Sequence, residues 1–272
     1  MNPIKRLLAS AFDLTGLNRA SLGLQARRPY IRALNYHEVP AEQADAFEDQ
    51  LRFYARHFVP VGYADLMEFR AGSWPHPKPG LILTFDDGLR SHAEVAAPLL
   101  EKYGVPGWFM VPAGVVGTAA EQRPQEHTVG HPTLTWPDLR RLDGPHVIGC
   151  HTHGHRRLEA SLTPAELEHE IRDAKRQLEE GLGHPVTVFA WVGGEEWTYS
   201  AAAARAIREA GFALSFMTNN AVIRPDTDPL QLQRTNVEAS FPASLMRFSL
   251  SGFLDVMYTG KRRRVNRLTA AA

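Results

Sequence analysis

From residue 31 onward the chain alternates short apolar runs with amphipathic segments of about 10 to 18 residues, and this alternation limits the folds open to it more than any other feature. Strands are predicted at 31–36, 81–85, 108–111, 147–150, 186–191 and 212–217. Helices are predicted over 43–57, over 90–103 with Gly104 as the stop, after Thr135 with Pro137 in the first turn, and over 200–210 with Gly211 as the stop. A further helix starts at the capping box Thr163-Pro164-Ala165-Glu166 and is expected to run to Gly181. Residues 112–134, rich in Pro and Gly, read as a long loop. Strands that alternate with helices pair in parallel through right-handed crossovers, so the chain is α/β, and six or more such strands favour a barrel or a strongly curved sheet. At 272 residues there is enough chain to bury a core without a disulfide or metal staple. The single cysteine, Cys150, allows no intramolecular disulfide, rules out cysteine-rich zinc modules and fits a reducing compartment.

Charge is balanced in number, with 30 basic and 30 acidic residues, but segregated in place. Residues 1–32 hold Lys5, Arg6, Arg19, Arg27, Arg28 and Arg32 against Asp13, and residues 247–272 hold Arg247, Lys261, Arg262, Arg263, Arg264 and Arg267 against Asp255. The body between them is therefore acidic, a poor surface for nucleic acid and a natural one for a cation. The basic ends also lack the interleaved aromatics of a nucleic-acid binder beyond Phe248, Phe253 and Tyr258, so no nucleic-acid partner is expected. After Lys5 and Arg6 only residues 7–12 run apolar before Asp13, too short for a secretory signal, and no run reaches the length of a spanning helix. The expected location is cytoplasmic. Ile4, Leu7, Leu8, Ala11, Phe12 and Leu14 recur at helical spacing, which permits either an interfacial helix on anionic lipid, hence peripheral contact at the inner face of a membrane, or a helix packed on the body.

Chemistry in a parallel sheet collects where the strands end, because the loops converge there. The strand at 81–85 ends in Thr84-Phe85-Asp86-Asp87-Gly88. Adjacent acids on a strand point to opposite faces unless the turn rotates one of them, which allows one to bind a metal while the other handles protons. Taken alone, Asp-Asp-Gly is ordinary turn and helix-cap chemistry. The strand at 147–150 ends in His151-Thr152-His153-Gly154-His155. His151 and His155, four apart, with one carboxylate from a neighbouring strand make three protein ligands with a position left open, the pattern of a catalytic rather than a structural site. His153, between them, should project away. His37 ends the first strand, where a lone histidine is ordinarily structural. Phe189-Ala190-Trp191-Val192-Gly193-Gly194 runs a strand into two glycines whose backbone N–H groups can approach an oxyanion.

These residues resemble the polysaccharide deacetylase family (NodB homology, carbohydrate esterase family 4): 84–88 is similar to its first motif and 149–155 to its second. The layout from about 30 to 240 is similar to the subgroup with a Tyr-His near the start, here Tyr36-His37, that includes enzymes removing N-acetyl groups from poly-N-acetylglucosamine. That subgroup is regarded as circularly permuted, its early histidine replacing a late Leu-x-His acid, and this chain has no histidine after His184. The resemblance implies a distorted (β/α) barrel of about seven parallel strands. It also implies one divalent metal ion held by Asp87, His151 and His155, zinc first with cobalt, nickel or iron as alternatives, Asp86 as base and His37 as acid. Trp191 and Gly193 stand for the substrate and oxyanion side, in a third motif that reads Trp191-Val192-Gly193-Gly194 where relatives commonly have Arg-x-Pro or Tyr-Pro-Tyr-Gly. Relatives also place an Asp or Arg near the acid; Arg234 is a candidate.

The organisation expected is a basic amphipathic extension over 1–29, a catalytic domain over 30–240 and a basic helical extension over 241–272. The activity implied is hydrolytic removal of N-acetyl groups from an amino-sugar glycan or glycolipid in surface-polysaccharide metabolism. An O-acetyl esterase and a non-catalytic sugar-binding relative are the alternatives.

Overall fold

A computed structural model of the protein describes residues 3–25, 28–117 and 131–270, with the side chains of 3–6 and 19 excepted. Residues 118–130 of the expected loop, and the Ile4, Lys5, Arg6, Arg19 and Arg27 side chains counted above, lie outside that description.

Among the described residues eight strands form one sheet: β1 (Ile31–Tyr36), β2 (Val59–Pro60), β3 (Gly80–Phe85), β4 (Gly107–Val111), β5 (Val147–Cys150), β6 (Val188–Ala190), β7 (Leu214–Met217) and β8 (Leu232–Asn236). Seven of them close a ring in the order β1-β8-β7-β6-β5-β4-β3, with β3 returning to β1 over Ile31↔Gly80 to Tyr36↔Phe85, and all pairs are parallel. The two residues of β2 pair only with Gly80 and Leu81, ahead of the point where β4 joins β3 at Leu83. The molecule is thus a distorted seven-stranded (β/α) barrel.

Period-two alternation separates two cores. Ile31, Ala33, Ile82, Trp108, Met110, Val188, Ala190, Leu214, Phe216 and Leu232 fill the barrel, while Leu34, Tyr36, Leu83, Phe85, Phe109 and Phe189 face the outer helices. Those helices are α3 (Ala44–His57), α4 (Tyr63–Arg70), α5 (Ala97–Lys102), α6 (Trp136–Leu142), α7 (Pro164–Leu167), α8 (Ala174–Leu182) and α9 (Ala201–Glu209). A π turn, His92–Ala96, leads into α5, and another, Glu168–Asp173, joins α7 to α8.

The sequence placed the stop of this last helix at Gly181, and that is corrected: α8 ends at Leu182 with Gly183 in the left-handed conformation, φ 82°. Gly181 lies inside the helix because a Cβ there would come within 1.9 Å of the Trp136 ring. The strand expected at 186–191 is shorter, Val188–Ala190, as is that at 212–217, Leu214–Met217. Strands β2 and β8 were not anticipated.

The terminal segments form a helical group of α1 (Pro3–Leu14), α2 (Leu17–Gln25), α10 (Ala243–Leu250), α11 (Phe253–Met257) and α12 (Thr259–Thr269). Phe12 meets Phe248 edge-on at 5.3 Å and Phe253 at 5.0 Å, and Asp13 pairs with Arg247. The group is tied to the barrel by Arg32, a buried side chain on the outer face of β1, which makes a bidentate pair with Asp255 of α11 at 2.8 and 2.9 Å. No described helix is long and apolar enough to cross a membrane.

Candidate active site

The site is built from the carboxyl ends of the strands. On β3 the inward face reads Ile82, Thr84, Asp86, so Asp86 simply continues the alternation into the barrel mouth. Asp87 would point outward, but its backbone is left-handed, φ 75°, and this rotation brings both carboxylates to one side. Gly88 follows at φ 63° with Val111 packed 3.2 Å from where a Cβ would sit. On β8 the inward face reads Leu232, Arg234, Asn236, and the buried Arg234 guanidinium grips Asp86 through two bonds of 2.6 and 2.8 Å while also donating to Thr84 Oγ1 at 3.1 Å. Arg234, which the sequence could name but not locate, therefore belongs to the carboxylate Asp86. Burial by itself raises the Asp86 pKa, but the opposing charge and hydrogen bonds of Arg234, helped by His151 and His37, bring it below the ordinary aspartate range.

The second half comes from β5. His151 donates from Nδ1 to the Ala190 carbonyl at 2.9 Å, which fixes the tautomer and turns Nε2 toward Asp86 and Asp87, 3.8 and 3.7 Å away. His155, also left-handed at φ 58°, puts Nε2 3.0 Å from Asp87 Oδ1. Strained backbone at two of three neighbouring side chains, of order 1–3 kcal/mol each, marks a geometry held for function rather than for stability. The loop between them is fixed by a residue that sequence reasoning missed: buried Glu170, in the π turn before α8, accepts from the backbone N–H of His153 at 3.0 Å and of Gly154 at 2.8 Å. The His153 ring turns away, tilted at 46° to the His169 ring 4.1 Å off and packed against Gly114.

Asp87, His151 and His155 each offer one ligand atom within 4.8 Å of the others. The electrostatics suit a cation. Burial pushes the His151 pKa down to about 4 against the pull of Asp86, so the imidazole is neutral with its Nε2 lone pair free of a proton. Burial also acts to raise Asp87, yet the hydrogen bond and charge of His155 hold it well below the usual range, so it is ionised. One carboxylate and two imidazoles, that of His151 with its Nδ1 braced on a carbonyl, form a donor set that fits a divalent ion such as zinc.

These side chains open into a cavity of about 810 Å³ that His37, Asn35, Asn236 and Gly193 also line. His37 is exposed at its rim, and its backbone carbonyl is held by Nε2 of the buried His92 at 2.6 Å. Gly193 has φ 83°, with Thr198 3.0 Å from a notional Cβ, so only glycine fits. The next residue, Gly194, accepts a hydrogen bond on its carbonyl from Lys261 of α12. Trp191 does not join this group: its ring is buried in the outer core, 5.1 Å from Tyr199 and 6.3 Å from Phe189.

The sequence profile of the family described as polysaccharide deacetylase matches residues 74–215, from just before β3 into β7. The chain belongs to the polysaccharide deacetylase family. A comparison with curated proteins finds no match. Among solved structures, the chain is similar to the deacetylase PplD of Streptococcus pyogenes, in complex with acetate, with a TM-score of 0.67 at 20% identity over 82% of this chain and 99% of that one. It is similar to IcaB from Ammonifex degensii with a TM-score of 0.67 at 24% identity, over 82% and 97% of the two chains. The deacetylase domain of BpsB from Bordetella bronchiseptica gives 0.65 at 19% identity, over 78% and 98%. At such identities the likeness establishes that this polysaccharide deacetylase shares their fold.

Proposed function

We propose that this polysaccharide deacetylase is a metal-dependent hydrolase that removes the N-acetyl group from an amino sugar in a glycan or glycolipid. The observation that carries the reading is the meeting, at one barrel mouth, of an Asp-His-His donor set with a second carboxylate that Arg234 keeps ionised. The polysaccharide deacetylase family match supports the glycan side of the reading, and PplD and the BpsB domain are described as deacetylases. Asp87, His151 and His155 hold the ion, taken to be zinc. When bound, it supplies Lewis acidity, polarising the acetyl carbonyl and making water a better acid.

The chain's own residues do the rest. Asp86, ionised and fixed by Arg234, accepts a proton from the attacking water. A carboxylate of low pKa is a weak base, so it serves only where the water is made acidic beside it, which is where the donor set lies. Gly193 lines the same cavity, and its backbone N–H is the group assigned to hydrogen-bond the developing oxyanion. His37, at the rim, donates a proton to the departing nitrogen, because an amide anion is too poor a leaving group. Water adds to the carbonyl carbon, the C–N bond breaks, and acetate and the free amine leave.

Two variants separate the roles. Asp87→Ala loses bound zinc and acetate release together, whereas Asp86→Asn keeps zinc and loses turnover by about 10²–10⁴-fold. Zinc content and acetate release from an N-acetylated glycan, alongside release from an O-acetyl ester, give the readout. An active Asp86→Asn protein, or one without zinc, overturns the division of labour, and release from the ester alone makes the protein an esterase.

A further inference from the structure

One wall of the cavity carries no group that the proposed reaction uses. It is made of Leu8 from α1, Phe248 from α10, and Leu254, Met257 and Tyr258 at α11. A sugar presents hydroxyl groups on almost every edge and has little use for so long an apolar wall. Nor does the apolar surface stop inside the cavity. Leu7 is 73% exposed, Val256 74% and Met257 64%.

The two helices that carry these exposed side chains meet beside the cavity. Phe12 of α1 and Phe253 of α11 are in ring contact, Leu8 lies one helical turn before Phe12, Met257 lies one turn after Phe253, and both line the cavity. Leu7 and Val256 are their immediate neighbours and face out. Each such side chain is worth about 1.5–3 kcal/mol on full burial, so a patch of this kind beside a cavity mouth marks a surface that something covers.

Charge says what covers it. Helix α12, which continues from α11, carries Lys261, Arg262, Arg263, Arg264 and Arg267 and no acidic residue. Arg263 and Arg267 are exposed and make no ion pair among the described residues, and with Arg262 and Arg264 they line a second groove of about 580 Å³. Apolar side chains flanked by cations are the signature of a surface that sits in the headgroup region of an anionic bilayer. A hydrocarbon chain is also the one occupant that both covers the patch and continues into the cavity along Leu8 and Met257.

We infer that the terminal helices seat the cavity mouth on an anionic lipid bilayer, and that the substrate is an acetamido sugar carried on a lipid whose first hydrocarbon segment lies along Leu8, Leu254 and Met257. The sugar end of this inference rests on the deacetylase reading; the lipid end stands on the patch and its charge.

The test uses the zinc-loaded full chain. Co-sedimentation is measured with phosphatidylcholine vesicles with and without about 30% phosphatidylglycerol, for the parent and for Leu7→Asp/Val256→Asp, whose sites are exposed and outside the cavity lining. Acetate release is measured on methyl and dodecyl glycosides of N-acetylglucosamine below the micellar range. Expected are retention of the parent on anionic vesicles at least tenfold above neutral ones and its loss in the double variant, with turnover of the methyl glycoside unchanged. The dodecyl glycoside should show kcat/KM roughly tenfold or more above the methyl one, the gain from burying two methylenes. No retention, retention equal in parent and variant, or equal kcat/KM for the two glycosides overturns the inference while leaving the deacetylase reading intact. Failure of both glycosides to release acetate overturns that reading instead, and vesicle retention alone then decides the bilayer surface.

Discussion

The two walls of the cavity are held in place by opposite means. On the barrel side, Asp86, Arg234, Asp87 and His151 are all buried charges or polar rings drawn from three strands, each in reach of a partner on another strand. On the helical side, exposed Leu8 and Met257 and half-buried Tyr258 reach the cavity, and Lys261 supplies a single hydrogen bond to Gly194. Buried charges cannot be removed one at a time without leaving the other uncompensated, so the first wall behaves as a unit. The second is a sum of small contacts that can change piecemeal. The proposed reaction chemistry is thereby insulated from the surface proposed to meet the rest of the substrate.

The comparison breaks most visibly at Arg234. Arg234→Met leaves Asp86 buried without its cation and should cost about 3–5 kcal/mol, read from urea unfolding with metal chelated. Adding Asp86→Asn should recover much of that loss, and a single variant within about 1 kcal/mol of the parent would show that the wall is not a unit. Next comes Glu170. Its replacement by alanine strips two loop N–H groups of their shared acceptor, with an expected loss of about 2 kcal/mol and zinc binding weakened about 10–100-fold in a chelator competition. Glu170→Gln, which keeps an acceptor, should regain most of both.

His92 gives a smaller, pH-dependent effect. Burial holds its pKa down at about 4 against 6.5 in the unfolded chain. Between those values the unfolded chain binds a proton that the folded one refuses, so this contribution to stability falls as pH drops from about 6.5 to about 4 and is constant above that window. His92→Phe, comparable in bulk between Phe85 and Phe109, should flatten the slope of unfolding free energy against pH over that range. An unchanged slope refutes the assignment. Smallest of all, Lys261→Met on the helical wall should change kcat/KM for a small N-acetyl glycoside by less than about threefold and stability by less than about 0.5 kcal/mol. A hundredfold loss would move Lys261 to the first wall.

Much of the barrel side was legible in the sequence, for identifiable reasons. Asp86-Asp87-Gly88 and His151 to His155 stand at the ends of apolar runs, and an apolar run that stops on chemistry is what a barrel strand looks like. Strand β8 was invisible because Leu232–Asn236 reads Leu-Gln-Arg-Thr-Asn, with Gln233, Arg234 and Thr235 buried on other polar groups rather than facing water, so periodicity gave no signal and Arg234 had no address. Glu170 was hidden for a related reason: among Glu166 and Glu168 it looks like one more charge on a solvated helix face, and only the π turn aims it inward. Trp191 sits next to the site in the chain but takes the outer face of the strand's extension, where its ring has Tyr199 to pack on. Gly181 misled because a packing glycine and a helix-stopping glycine look alike without the Trp136 ring in view.

The buried pair of Arg32 with Asp255 reaches across the whole length of the chain, from the first strand of the ring to a helix that forms after the last. A shortened protein ending at β8 would keep the full ring and every proposed reacting group, yet would strand a guanidinium in a greasy layer with nothing to neutralise it. Trimming the tail to isolate an enzyme core should therefore yield insoluble or unfolded material, and a lone Arg32→Leu replacement should be what rescues it.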